Sequence, residues 1–119
     1  IEHRAALLYT LAAGARELPP RQMCALLSEG PAKIFGMYPR KGSLQVGADA
    51  DLVVWDPASQ WTITAAEQNQ NVDYTPYEGM AVTGGPRVVL LRGQIAAEYG
   101  RVNDKLRGNY VPRSARQTI

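Results

Sequence analysis

The chain of 119 residues contains one cysteine, one histidine and one phenylalanine. A single thiol, Cys24, cannot form an intrachain disulfide, which fits a reducing compartment and an expected cytoplasmic location. A single imidazole, His3, leaves few strong donors for a zinc site, which needs three or four His, Cys or carboxylate ligands. Apolar runs end after four or five residues. A membrane-spanning helix needs about 20, so no membrane partner is expected. The net charge is only +2, too small to point to nucleic acid by itself. No phosphate-binding loop is present. Gly84-Gly85-Pro86 has neither the Lys-Ser/Thr pair nor the strand-to-helix setting, and reads as a turn.

What remains is the balance of an ordinary globular protein, 45% apolar and 20% charged. The chain opens at Ile1, straight into a helical pattern, and so reads as a segment of something longer. Residues 1 to 37 carry helical spacing. Leu7, Leu8, Leu11 and Ala12 form one apolar face, with Gly14 as the stop. Pro20 suits the first turn of a second helix, whose face is Met23, Leu26 and Leu27. Ser28 to Pro31 reads as a break, followed by a short helix from Pro31 to Phe35 that ends at Gly36. From residue 42 to 100 the pattern is strands and turns. Leu52 to Trp55 reads as a buried strand, Asp56 to Ser59 as a turn and Gln60 to Ile63 as a half-buried strand. Residues 64 to 85 read as a long ordered loop, and Val88 to Ala97 as a hairpin turning at Arg92-Gly93-Gln94. Residues 101 to 119 form a polar, extended tail. The strands are too few to close a barrel or complete a sandwich, so an edge near Leu52 to Trp55 or Val88 to Leu91 should lie open.

Each chemically suggestive residue has an ordinary structural reading beside it. Glu2-His3 has no ligand spacing, and His3 reads as a histidine on a helix flank. Cys24, with no histidine placed to activate it, reads as a small, buried and slow-reacting helix residue. Asp49 and Asp51, at the mouth of a strand, suit a turn whose carboxylates accept backbone N–H groups better than an acid/base pair. Asn71 to Met80 holds two tyrosines, two carboxylates and a proline. It reads equally as a ligand-pocket wall or as a pinned loop. Arg101, Lys105, Arg107, Arg113 and Arg116 outnumber Glu98 and Asp104 in the tail, but only Tyr99 and Tyr110 interleave. A solvated arm or a subunit contact is expected there, with no nucleic acid.

Several of these stretches carry a resemblance. Gly42 to Asp56 is similar to "G-x-I-x-x-G-x-D-A-D-L-V-[VIL]-[WF]-D", found in many members of the amidohydrolase superfamily. Pro31-Ala32-Lys33-Ile34-Phe35-Gly36 resembles the superfamily's "N-P-A-K-[IL]-F-G" helix, with Gly30 in place of the usual Asn. Asn71 to Met80 resembles the hydantoinase and dihydropyrimidinase branch. So do Gly84 to Gly100 and the Gly108-Asn109-Tyr110-Val111-Pro112-Arg113 stretch, and Ile1 to Arg4 looks like the opening of the last barrel helix.

The resemblance implies a metal-dependent hydrolase of cyclic amides: dihydrouracil, dihydrothymine or 5-substituted hydantoins. Such enzymes hold two metals, usually zinc, in a distorted (β/α)8 barrel, on four histidines, a carboxylated lysine and an aspartate, and a bridging hydroxide attacks the ring carbonyl. All those ligands fall upstream of the position matching Ile1, and Lys33 and Lys41 lie in the wrong motifs to be the carboxylated lysine. No catalytic, cofactor-binding or metal-binding residue is therefore expected in this chain. The expected fold is an α+β fragment. Residues 1–41 would be the last barrel helix and the helices after it, 42–100 part of the small composite β-sandwich, and 101–119 the tail. The resemblance also implies the missing N-terminal barrel portion as a partner, a homodimer or homotetramer, and a structural role for Asn71 to Met80. A non-catalytic relative of the collapsin response mediator type is the alternative; a free-standing binding module is disfavoured by the incomplete sheet.

Overall fold

The structure, a computed structural model, describes residues 2–13 and 17–115. Ile1, Gly14 and Arg116 lie outside the described residues, and with them the predicted helix stop and the last tail cation. Contacts within the chain divide it into two compact units, residues 1–20 with 55–85 and residues 21–54 with 86–119.

Helix α1 (Arg4–Leu8) passes into a wider π-helical stretch, Tyr9–Ala13. Of the predicted apolar face, Leu7 is buried and Leu8 half-buried, while Leu11 faces solvent. Helix α2 (Pro20–Cys24) starts at its proline as expected and also widens into a π-helical stretch, Ala25–Glu29. It then continues directly into α3 (Gly30–Ile34), so the predicted break at Ser28–Pro31 is absent. Gly30 makes this possible. The residue before a proline is normally kept from helical angles by a clash involving its Cβ, and glycine has none. Gly30 sits at φ −58°, ψ −55°, and a Cβ there would lie 3.0 Å from the Ala25 carbonyl. Met23 is buried, whereas Cys24 at the end of α2 and Leu26 in the π-helical stretch are exposed. The buried line runs through Met23 and half-buried Leu27. Cys24 lies about 100° round the helix from Met23, so the expectation of a buried thiol is corrected.

Among the described residues, four strands form one sheet in the order β1-β2-β3-β4: Leu52–Thr62, Ala81–Leu91, Gln94–Glu98 and Arg101–Val102. Strand β1 runs straight through the predicted turn at Asp56–Ser59. It lies at the sheet edge, the kind of strand that tolerates a proline such as Pro57, and the Asp56 carboxylate accepts the Ala58 N–H at 2.9 Å. Val53 and Val54, expected to be buried, are 57% and 49% exposed. Gly84-Gly85-Pro86 is likewise strand, not turn, and the long loop ends at Met80. Val88 to Leu91 pairs with β3 inside the sheet, so of the two expected open edges only the one at Leu52 to Trp55 is an edge.

The predicted hairpin is present: β2 and β3 are antiparallel, with Leu91 opposite Gln94. Its central residues, Arg92 and Gly93, have φ of 49° and 77°, the left-handed values a two-residue type I′ turn requires. Tyr99 and Gly100 repeat the device at 48° and 76° between Glu98 and Arg101, so the start of the tail is a short strand.

In the first unit Ala6, Leu7, Val82 and the fully buried Ile63 form the core, with Trp55, Trp61 and Met80 packed on it. Two contacts fix α1 against β2. The Thr10 hydroxyl accepts the Thr83 N–H at 2.9 Å and lies 2.8 Å from the Ala6 carbonyl, to which it donates. The Tyr9 ring packs 5.4 Å from Trp55 and lies over Gly84. Gly84 has φ 81°, and a Cβ there would stand 2.4 Å from the Tyr9 ring. Both the backbone angle and the close approach therefore demand glycine. In the protein that carries this segment, Gly84→Ala should cost about 2–4 kcal/mol, combining backbone strain with overpacking. Urea unfolding measures it, and an unchanged midpoint would contradict this packing.

Candidate functional site

The residues singled out for chemistry fall into separate clusters, one set in each unit. In the first unit, the Glu2 carboxylate accepts the Asn69 backbone N–H and side-chain amide, both at 2.8 Å, and so ties the 64–80 loop to the start of α1. His3 is buried, 5% exposed, between Trp61 at 6.3 Å and Tyr77 edge-on at 6.4 Å. It is a core aromatic, deeper than a helix flank, and its main-chain carbonyl accepts the Leu7 N–H that opens α1. Asn71 to Met80 is held at several points. Glu78 accepts the Ala65 N–H at 2.7 Å, the buried Thr75 hydroxyl accepts the Tyr77 N–H at 3.3 Å, and the Gln68 amide donates to the Val72 and Tyr74 carbonyls. Asp73 and Tyr74 are exposed on the rim of an open depression that Thr75 and Glu78 also line. The groups that carry this loop's shape, Glu78, Thr75 and Tyr77, are spent on holding it. The geometry is that of a pinned loop.

In the second unit, the Asp49-Ala50-Asp51 stretch is the centre of an ion-pair and hydrogen-bond node. Lys41 Nζ donates to Asp49 at 2.8 Å and also to Asp51, and Arg40 Nε reaches Asp49 at 3.1 Å. The other oxygen of Asp51 accepts the Arg92 backbone N–H at 2.8 Å, and the Ala50 carbonyl accepts the Gly93 N–H at 2.9 Å. Asp51 therefore clasps the β2–β3 turn with a carboxylate that accepts a backbone N–H, as expected, whereas the Asp49 carboxylate is held by Lys41 and Arg40. The hydrogen bond from Lys41 holds the Asp49 carboxyl below the ordinary aspartate range, against a smaller opposing effect of burial. At Asp51 burial pushes upward, and the Lys41 and Arg92 hydrogen bonds together outweigh it, so its pKa is lowered as well. At Lys41 burial pulls downward, and the bonds to both aspartates outweigh that and raise its pKa.

Lys33 is paired with Glu29 one helical turn earlier, at 2.6 Å, and lies over the Tyr38 ring. Arg101, Lys105, Arg107 and Arg113 are exposed. Among the described residues no three His, Cys, Asp or Glu side chains come together in a way that could hold a metal ion. The donors present here thus do not fit a two-zinc centre: His3 sits among aromatic rings, Cys24 faces solvent, and Asp49 and Asp51 are occupied by cations and an amide. No described helix is long and apolar enough to cross a membrane. Sequence reasoning missed Glu2 and Thr10 as anchors, because each acts on a residue remote in sequence.

With this geometry, comparison with known proteins is informative. The amidohydrolase family model matches residues 2–96, and the chain belongs to that family. Within the family it is similar to D-hydantoinase of Ralstonia pickettii, 41% identical over 93 residues that make up 77% of this chain and 20% of that protein. It is 37% identical over 100 residues, 84% of this chain and 18% of the relative, to dihydropyrimidinase-related protein 5 of Mus musculus. Among solved structures, D-hydantoinase from a Thermus species superposes with a TM-score of 0.82 at 41% identity, over 86% of this chain and 22% of that one. The chain thus spans about a fifth of the length of the curated relatives it matches.

Three outcomes follow from the geometry. The carboxylates of the Asp51 node stabilise the fold while ionised, so that stability is complete above the ordinary aspartate range and is lost as pH falls through their depressed values. Melting temperatures of the protein carrying this segment should fall more steeply below that range than those of an Asp49→Asn, Asp51→Asn variant. Asp51→Ala, which strands the Arg92 N–H, should cost about 1–2 kcal/mol, and Asp51→Asn less, since an ion pair this exposed is screened. Equal losses from both substitutions would contradict the clasp. Cys24 should react with a thiol reagent in the native protein at nearly its rate in denaturant, and strong protection would contradict its exposed position.

Proposed function

We propose that this chain is the carboxyl-terminal part of a hydantoinase- or dihydropyrimidinase-type cyclic amidohydrolase, whose substrates are dihydropyrimidines or 5-substituted hydantoins. The observation that carries the reading is the joint match in sequence and backbone. Family similarity runs from residue 2 to 96, and a D-hydantoinase structure follows 86% of the chain at 41% identity. In the proposed reaction a hydroxide equivalent adds to a ring carbonyl, the adjacent C–N bond breaks, and the released nitrogen takes a proton. The opened ring carries a new carboxylate.

On this reading the chain supplies no group to that step. Residues 1–41 are the last barrel helix and its successors, 42–100 are part of the composite β-sandwich, and 101–119 are the tail. Two zinc ions sit on residues outside this chain, and the assembled protein is a cytoplasmic homodimer or homotetramer. The anchors described above support a scaffold role: Asp49 and Asp51 engage lysine, arginine and backbone, and Glu78 engages a backbone N–H. The second reading, a non-catalytic scaffold of the collapsin response mediator type, is favoured by the similarity to dihydropyrimidinase-related protein 5. The upstream sequence separates the two, since an enzyme needs the histidine, lysine and aspartate ligands there.

The protein carrying this segment should open dihydrouracil or a 5-substituted hydantoin when zinc is supplied, and lose that activity on chelation. Cys24→Ala should leave the turnover number within about two-fold, because the thiol stands outside any donor cluster. Failure to open any cyclic amide or imide with metal present would favour the scaffold reading.

A further inference from the structure

The tail after β4 is attached to the second unit at three places. Near its start the Asn103 amide donates to the Ile95 carbonyl, and the Asn103 N–H to Ala96. Next, the Arg92 guanidinium donates to the Arg107 carbonyl at 2.7 Å. The third attachment is at Ser114, whose N–H and hydroxyl both donate to the Gly36 carbonyl, at 2.8 and 3.0 Å. Gly36 closes α3 with φ 66°, and a Cβ on it would stand 2.0 Å from the Ser114 carbonyl oxygen. The docking is therefore glycine-dependent. Between the last two attachments Gly108, Asn109, Tyr110, Pro112 and Arg113 are exposed, Tyr110 at 87%.

We infer that residues 103–115 form a strap, fastened to the β2–β3 turn through Arg92 and to the end of α3 through Gly36, that opens without unfolding the unit beneath it. The physical reason is the kind of bond that holds it. A segment held by a few polar bonds with little apolar burial opens locally, at a free energy well below that of global unfolding. The Arg92 fastener is itself positioned by the Asp51 clasp, since Asp51 fixes the backbone N–H of the residue whose side chain holds the strap. The turn thus sets where the strap lies, and the Gly36–Ser114 contact fastens its far end.

Limited trypsin digestion of the protein carrying this segment, followed by mass spectrometry, tests the strap. Arg92→Asn keeps a residue that tolerates the left-handed turn and removes the long donor. Cleavage after Arg107 and Arg113 should then rise by about ten-fold, because proteolysis tracks the population of the open form. Cleavage after Arg21, on α2, should stay unchanged. Gly36→Ala should act in the same direction from the other end, and Ser114→Ala more weakly, since the backbone N–H bond survives. The inference is overturned if Arg92→Asn leaves the tail sites at the parent rate, or if tail and Arg21 sites accelerate together.

Discussion

The carboxylate of Asp51 accepts from two directions at once, an ammonium on Lys41 and a backbone N–H at Arg92. Much of the second unit depends on that double duty. One oxygen ties the strand entrance to Lys41, and the other ties it to a hairpin turn 41 residues further on. A neutral acceptor could satisfy the amide, and a more distant acid could pair with the lysine. An aspartate at a strand mouth does both with a short, stiff side chain. Ionisation strengthens the amide bond, because hydrogen bonds to a charged acceptor are stronger than neutral ones. The Arg92 turn then passes its position on to the tail through the guanidinium.

The first unit uses a different device for the same purpose, which is to fix long-range contacts with few residues. Gly84 removes a side chain so that the Tyr9 ring can lie on the backbone of β2, and the Thr10 hydroxyl meets the Thr83 N–H alongside it. Two adjacent helix residues thus register α1 on the strand, one by shape and one by hydrogen bonding. Glu2 performs the matching task for the loop, and Glu78 closes it. These acidic and hydroxyl side chains carry architecture, which accounts for a segment rich in polar motifs that assembles no metal-ligand cluster among its described residues.

Membership of the amidohydrolase family was legible in the motifs, because motifs such as Gly47 to Asp56 and Asn71 to Met80 are local strings whose identity survives without the fold. The Arg92-Gly93 hairpin was legible for a related reason: a two-residue turn is dictated by its own backbone angles. The errors share a cause. Asp56-Pro57 and Gly84-Gly85-Pro86 have the composition of turns, yet both lie within strands, the first because it is at an edge and the second because an aromatic ring needs the space. Gly30-Pro31 has the composition of a break, yet the absence of a Cβ lets the helix through. In each case a residue type with two physical uses was read for its commoner one.

The sequence by itself determined the family, the approximate order of helices and strands, and the turn at Arg92-Gly93, since these follow from short-range patterns and steric rules within a few residues. Only the tertiary structure decided that His3 is a buried aromatic of the core, that Cys24 faces solvent, and that Asp51 clasps a distant turn. Burial and partner choice are set by which surfaces meet. A chain whose apolar residues are spread thinly over α2 and β1 leaves several faces that could turn inward, and contacts tens of residues apart select among them.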